Sequence, residues 1–535
     1  MASLTKRQGL LGKRLAAHLL RRTTYNITAA RIAYFANKTA EEAVNELFTI
    51  PALIEPKGPI NFEDSTTYWL TTGPYTPPSD TGRARFGVLF WFYNELMNDV
   101  SIRHKMTIFY TGIYVSGDDA DWRIFDSYRT LQHFAIGNLK ELARRMTLDN
   151  RMLRFLNNNV NNKWNPNENY AREFLELFTI LKGEQVSVGN YTNYTEEDIQ
   201  QAARVLTGFR DGLFTEKDAN GLAIGYAKYN HHDYGNKQFS AAFDNKVIMG
   251  ATSEADMYRE LQEFVDMVFD KVETARAFVR RLYLFFVSDR LSEEVEQDII
   301  EPLALQLWSD NYEVENVLKK LLKSTHFYDE DDSDSTNEVI GGKIKSPLEL
   351  YFSTITAFNG NQLGSLIPPP NSYDIYVYRL MDSVLAIMGF PRYATSVEGY
   401  PGFFKSPSFS KNWIDTSTLP MRYKMGTALL TGKSVANQYQ TMPYEVDIVE
   451  FVKNNFVHQE YDNQLLAQFI ELTLPEGVNG TRKEYFRQKL IGGISSFNWM
   501  FEWQNYIATN DDSSIRVVLE DLFEALIGSP EYQTF

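Results

Sequence analysis

The sequence predicts a mainly α fold, a large multi-helix globular protein with long loops and little strand. Three observations carry that expectation. Apolar residues recur three and four positions apart through most of the chain. Helix-start signals precede several of these runs. Strand-like alternation is confined to short pieces near 225–237. The 535 residues are 44% hydrophobic and 23% charged, which suffices for one large core or two.

Taken in order, Leu11, Leu15 and Leu19 mark a first helix, and the same period returns at 40–48, 85–99, 195–209, 273–287, 314–327 and 515–528. Asn165-Pro166-Asn167-Glu168 offers an N-cap, a proline at the first helical position and an early glutamate, and predicts a helix beginning at Asn165. Ser346-Pro347-Leu348-Glu349 repeats that arrangement. Stretches 51–80, 218–250 and 389–417 read as loops. The run DEDDSDSTNE at 329–338 brings together Asp329, Glu330, Asp331, Asp332, Asp334 and Glu338. Their mutual repulsion predicts an exposed segment, and the spacing is not that of a calcium loop. The expected division is an N-terminal helical lobe at 1–328 carrying the polar motifs, an acidic linker at 329–342 and a C-terminal helical lobe at 343–535.

A net charge of −16 and the absence of a long basic run argue against a nucleic-acid partner. The absence of cysteine removes disulfides, thiolate nucleophiles and Cys-ligated metal sites. Arg14 and His18 interrupt the first apolar stretch, so no signal peptide is expected. The default compartment is cytoplasmic, with export through a partner left open. No run of about 20 apolar residues suggests a transmembrane helix. Aromatic residues make up 14% of the chain, as a bulky core or as a surface for sugars or a partner.

The strongest local motif is NPNENYAREFLELF, 165–178. On one continuous helix Glu168, Asn169, Arg172, Glu173 and Glu176 share an arc, while Tyr170, Phe174, Leu177 and Phe178 fill the opposite side. Carboxylates around one arginine suit a general acid beside its base or a cation; the same spacing makes an ordinary ladder of i,i+4 ion pairs. The second motif is HHDYGNK, with His231, His232, Asp233, Gly235 and Lys237. It holds ligand types for a divalent metal or a hydrogen-bonded structural loop, and adjacent histidines leave at most one pointing inward. His18 lies beside Arg21 and Arg22 on the first helix. His104, His133, His326 and His458 show no partner spacing. Phosphate-binding loops, glycine-rich dinucleotide turns, H-E-x-x-H and G-x-S-x-G are all absent.

The segments AAHLLRRTTYNIT (16–28), KMTIFYTGIYVS (105–116), FAIGNLKEL (134–142), PNENYAREFLELFT (166–179) and YTEEDIQQAARVLTGF (194–209) resemble a bacterial family known as the domain of unknown function numbered eighteen hundred. So do HHDYGNK (231–237), KIKSPLEL (343–350), VEGYPGFF (397–404), WIDTSTLPMR (413–422) and SPEYQTF (529–535), which extends the resemblance over nearly the whole chain. The resemblance implies a shared polar pocket of His18, Asn167, Glu168, Asn169, Arg172, Glu173, Asp233, Gly235, Lys237 and the loop histidine, either His231 or His232, of which His232 matches better. Many relatives carry a His-Asn-His tripeptide after Trp where this chain reads Tyr110, Thr111, Gly112 and Ile113. A Gly-Trp-Pro of relatives is here Gly399-Tyr400-Pro401. The resemblance therefore implies a divergent member lacking two imidazoles, for which neither a metal nor a cofactor is expected. It also implies a protein partner from a neighbouring sulfatase-like family.

Two functions follow as expectations. One is a non-catalytic binding or structural component of an exported or surface-associated bacterial assembly. The other is a hydrolase drawing on Glu168, Arg172, Glu173, His232 and Asp233, with or without a cation.

Overall fold

The computed structural model describes residues 2–53, 88, 91–117, 121–212, 217–331, 339–359, 381–391, 394, 396–435, 437 and 445–535. The architecture is mainly α, with strands only in three two-stranded antiparallel ribbons among the described residues. These are β1–β2 (Gln185–Ser187, Asn190–Tyr191), β3–β4 (Phe209–Arg210, Tyr226–Ala227) and β5–β6 (Lys237–Gln238, Val247–Ile248). No helix among the described residues is long and apolar enough to cross a membrane.

Ten helices position the sites discussed below. They are α1 (Gly12–Thr23), α2 (Arg103–Thr111), α3 (Asn169–Glu173), α4 (Glu196–Val205), α5 (Glu254–Phe269), α6 (Val272–Phe286), α7 (Pro347–Asn359), α8 (Pro401–Phe404), α9 (Asp462–Thr473) and α10 (Ser513–Ile527). Their buried faces repeat the sequence period; Met257, Leu261, Phe264, Val265 and Val268 of α5 are all within 1% of full burial. A single apolar core takes residues from both sides of 329–342, from Leu11 to Tyr532.

Two start signals fared differently. At α7 the capping box forms, with Ser346 N donating to Glu349 Oε2 at 2.7 Å and Glu349 N to Ser346 Oγ at 3.3 Å. The 165–168 signal does not start a helix at Asn165. Asn162 and Asn165 close a turn, Asn167 N donates to the buried Asn161 Oδ1 at 2.9 Å, and the helix begins only at Asn169. Asn167 Oδ1 accepts from Asn169 N there, while Glu168 caps nothing with its side chain.

The acidic run departs from the expected exposure at Asp329 and Asp331, while Glu330 is exposed. Asp329 accepts from Val339 N and Ile340 N at 3.0 and 2.7 Å, and Glu330 pairs with Arg7 at 3.0 Å. The Asp331 side chain is only 7% exposed, because His326 Nδ1 at 2.7 Å and Ser3 N at 3.0 Å satisfy it. Residues 332–338 of the run lie outside the described residues. The loop expected at 389–417 contains α8 and a 3₁₀ turn at Phe409–Trp413.

Candidate functional sites

The NENYARE segment forms α3, and its continuation Phe174–Phe178 widens into a π turn. Thr179 Oγ1 donates to Phe174 O at 2.5 Å, and the part-buried Arg281 of α6 donates to Leu177 O. The wider turn breaks the expected carboxylate ladder. Arg172 keeps Glu168 at 3.2 Å, but its main partner is Glu196, the first residue of α4, which it grips with both terminal nitrogens. Glu176 instead pairs with Lys182 and accepts from Tyr194 OH at 3.4 Å. Asn169 Nδ2 donates to Leu156 O at 3.2 Å. Glu173 has no hydrogen bond or ion pair among the described residues; burial first, then the neighbouring Glu176, pushes its carboxyl above the ordinary range.

The HHDYGNK loop turns its two histidines apart. His231 faces outward, with Arg210 Nη2 at 3.0 Å from Nδ1 and the Trp164 ring edge-on. His232 is fully buried, its Nδ1 2.8 Å from Thr207 O and its Nε2 3.2 Å from Glu260 Oε2. Lys237 donates to the same Glu260 oxygen and to Asp233 O, both at 2.6 Å. Asp233 receives a two-pronged contact from Arg204, Nε and Nη2 each at 3.0 Å, and Gly235 N at 2.8 Å. Burial alone would raise the Asp233 carboxyl, but these donors hold it below its usual value.

Sequence reasoning missed Glu260. Its signal is a glutamate on the apolar face of α5, between Met257, Leu261 and Phe264. A charge there demands a partner from elsewhere in the chain.

The two clusters occupy opposite ends of α4. Glu196 holds Arg172 at its start, and Arg204, eight residues later, holds Asp233, a separation of about 12 Å along the axis. His18 belongs to neither network. Its Nε2 lies 2.9 Å from Phe327 O and its ring packs against Phe327 and Tyr328. Burial and the adjacent Arg22 push its pKa well below that of a free imidazole. The polar residues expected to share one pocket make separate contacts: Arg172 with Glu168 and Glu196, Asp233, His232 and Lys237 with Arg204 and Glu260, Asn167 and Asn169 with Asn161 and Leu156 O, and His18 with Phe327 O.

The profile of the family described as Protein of unknown function (DUF1800) matches residues 18–534. The chain belongs to the DUF1800 family. No curated protein and no solved structure matches it.

In this DUF1800 chain the segments around Gly112 and Gly399 pack on one another. Gly399, at φ +84°, approaches Gly112 so closely that an added Cβ would lie 2.9 Å from Gly112 O. Phe404 stands over Gly112, leaving its own Cβ position only 3.0 Å from the ring. Tyr114 packs on Phe178 of the π turn, ring centroids 5.6 Å apart. KMTIFYTGIYVS, VEGYPGFF and the end of NENYAREFLELF therefore meet around α6.

A larger polar cluster draws on still more of the shared segments. Lys105 donates to Glu349 Oε1 at 2.7 Å and lies over the Tyr25 ring. Arg22 donates to Val339 O and Phe535 O, each at 2.6 Å, and stacks on the Phe535 ring. Lys343 donates to Leu284 O and stands 3.7 Å from Asp289; Lys345 donates to Tyr532 O at 2.6 Å. Arg422 donates to Lys345 O at 2.7 Å and to Gln533 Oε1 at 3.1 Å. All five cations are at most 3% exposed. Burial drives Lys343 down to about 8 and Lys345 well below the ordinary lysine value. Glu349 goes the other way: burial opposes its charge, but Lys105 holds it below a normal glutamate.

The remaining cluster missed from sequence is a buried chain of contacts, with Tyr283 OH 2.9 Å from His326 Nε2 and His326 Nδ1 2.7 Å from Asp331 Oδ2. Among the described residues no group of three or more His, Asp or Glu is placed to hold a metal ion.

Proposed function

We propose that this DUF1800 protein is a non-catalytic binding or structural component of an exported or surface-associated bacterial assembly, partnered by a protein such as a sulfatase-like neighbour. The observation supporting this reading is that the motif charges are already committed. Arg172 is held by Glu168 and Glu196, Asp233 by Arg204, and Lys237 with His232 by Glu260. The last group has no exposed surface, so no substrate reaches it without the core opening. Such networks fix helices against loops, and α4 acts as the beam between two of them.

One observation favours hydrolysis instead. Glu173 lacks a partner among the described residues and is held protonated to higher pH than a free glutamate, as a general acid requires. The deciding experiment incubates purified protein with chromogenic phosphate, sulfate, ester and glycoside substrates, with and without Mg²⁺, Mn²⁺, Ca²⁺ and Zn²⁺. The proposal expects no turnover above buffer. Turnover that Glu173→Gln abolishes while the unfolding temperature stays unchanged would establish the hydrolase.

A further inference from the structure

The HHDYGNK loop and the loop ahead of α3 build one outer surface that the networks above leave unused. The β3–β4 ribbon sets Arg210 opposite Tyr226, and Lys228 leads from it into a 3₁₀ turn at Tyr229–His231. Lys163 N donates to His231 O at 2.9 Å and Gly208 N to Asn161 O at 3.0 Å, which fastens the 161–167 loop to the turn and the ribbon. On this frame Trp164 stands 69% exposed, with His231 edge-on at 5.4 Å. Gly250 packs against Tyr234 O with no room for a Cβ, which brings the exposed Met249 beside the exposed Tyr234.

The charge of this surface runs against that of the chain. Lys163, Arg210 and Lys228 form no ion pair among the described residues. Lys163 Nζ donates to Tyr234 OH at 3.0 Å, and Arg210 donates to Asn161 O, Phe209 O and His231 Nδ1. The carboxylates next in sequence are already engaged, Asp211 by Arg154 and Arg123 and Asp233 by Arg204. Desolvation, then the charges of Lys228, Arg210 and Lys163, hold the His231 imidazole below its ordinary value, in keeping with three cations gathered round one ring. On a protein of net charge −16, such a spot attracts carboxylates locally while the remainder repels them.

The lining selects the partner. Exposed Trp and Tyr beside Arg and Met is the composition of the packed centre of a protein interface. A sugar ring or a nucleic-acid base would instead stack on a bare aromatic face. Here Lys163 already lies over both rings, 4.2 Å from the Tyr234 centroid and 5.0 Å from that of Trp164, and Tyr229 packs on Tyr234 at 4.8 Å. A long polyanion would also run from this spot onto the acidic remainder, whereas a short segment would not.

We infer that this surface docks a short carboxylate-rich segment of a partner protein, with Lys163, Arg210 and Lys228 meeting its carboxylates and Trp164 and Tyr234 packing on its apolar side chains. This rests on the non-catalytic reading and names the chemistry of the partner.

The test is fluorescence anisotropy on the full chain with a short labelled peptide of glutamates punctuated by leucines. Versions with glutamine or lysine in place of glutamate, together with polygalacturonate and oligo-dT, serve as comparisons. The glutamate peptide is expected to bind about tenfold more tightly than the glutamine one, and to weaken as salt rises. Lys228→Glu and Trp164→Ala should each weaken it about fivefold; both side chains are exposed, and an unchanged unfolding transition verifies their folding. Lys411→Glu, which removes an exposed cation elsewhere, should leave the affinity unchanged. Absence of binding, equal binding of the glutamine or lysine peptide, affinity unaltered in both surface variants, or an equal loss in Lys411→Glu would overturn the assignment. So would tighter binding of either polyanion, or self-association that Trp164→Ala abolishes, which would make the occupant a second copy of the chain. Turnover of the chromogenic substrates would overturn the non-catalytic reading while leaving the docking surface standing.

Discussion

The Arg172 cluster and the Lys105 cluster differ in what makes them visible and in what they hold. Arg172, Glu168 and Glu196 stand between 36% and 39% exposed, so water screens their attraction and competes for their hydrogen bonds. Lys105 and Glu349 are 0% and 9% exposed, where one charge without the other costs several kcal/mol. The half-exposed cluster is compact in sequence; the buried one is spread from Arg22 to Phe535. Distinctiveness along the chain is therefore a poor guide to energetic weight. The long-range pairs make the greater difference because they tie the start, middle and end of the chain into one core.

Perturbations of the two regions should separate accordingly. Glu349→Leu leaves the buried Lys105 without its ion-pair partner and should cost about 3–5 kcal/mol, read by urea unfolding. Lys237→Met leaves Glu260 buried against His232 and should cost about 3 kcal/mol, with loss of protection against proteolysis in the 231–237 loop as a second readout. A smaller effect is expected from pH. Lys343 titrates near 8 when folded and near 10.5 when unfolded, so the unfolded chain binds the proton more firmly between those values. Stability should then rise from pH 8 towards 9.5, by at most about 1.4 kcal/mol per unit, and Lys343→Met should flatten the rise. The smallest loss belongs to Arg172→Ala, about 0.5–1 kcal/mol, because its carboxylate partners remain hydrated when it is removed.

The helices were legible because burial on one face imposes its period directly on the residues. The first helix and those at 40–48, 195–209, 273–287 and 515–528 stand where that period put them. The start at Asn165 was misread because Asn161, six positions before Asn167, ties down the backbone with its side chain. Similarly, the π turn at Phe174–Phe178 moved Glu176 off the Arg172 ladder, a shift of register that no spacing rule anticipates. The polar motifs were recognisable, but their partners were not. Glu196, Arg204 and Glu260 come from other helices, and Glu349 meets Lys105 across 244 residues. Single basic residues in KIKSP or LPMR look like solvated surface until the fold buries them.

The claim that most needs testing is that the widely dispersed buried charges, rather than the compact motif, hold the molecule together. Two double-mutant cycles measured by urea unfolding address it, one on Lys105→Met with Glu349→Leu and one on Arg172→Ala with Glu196→Ala. The account predicts a coupling energy of several kcal/mol for the first pair, with the double variant recovering much of either single loss, and less than about 1 kcal/mol for the second. Equal couplings, or a larger one at Arg172 and Glu196, would contradict it.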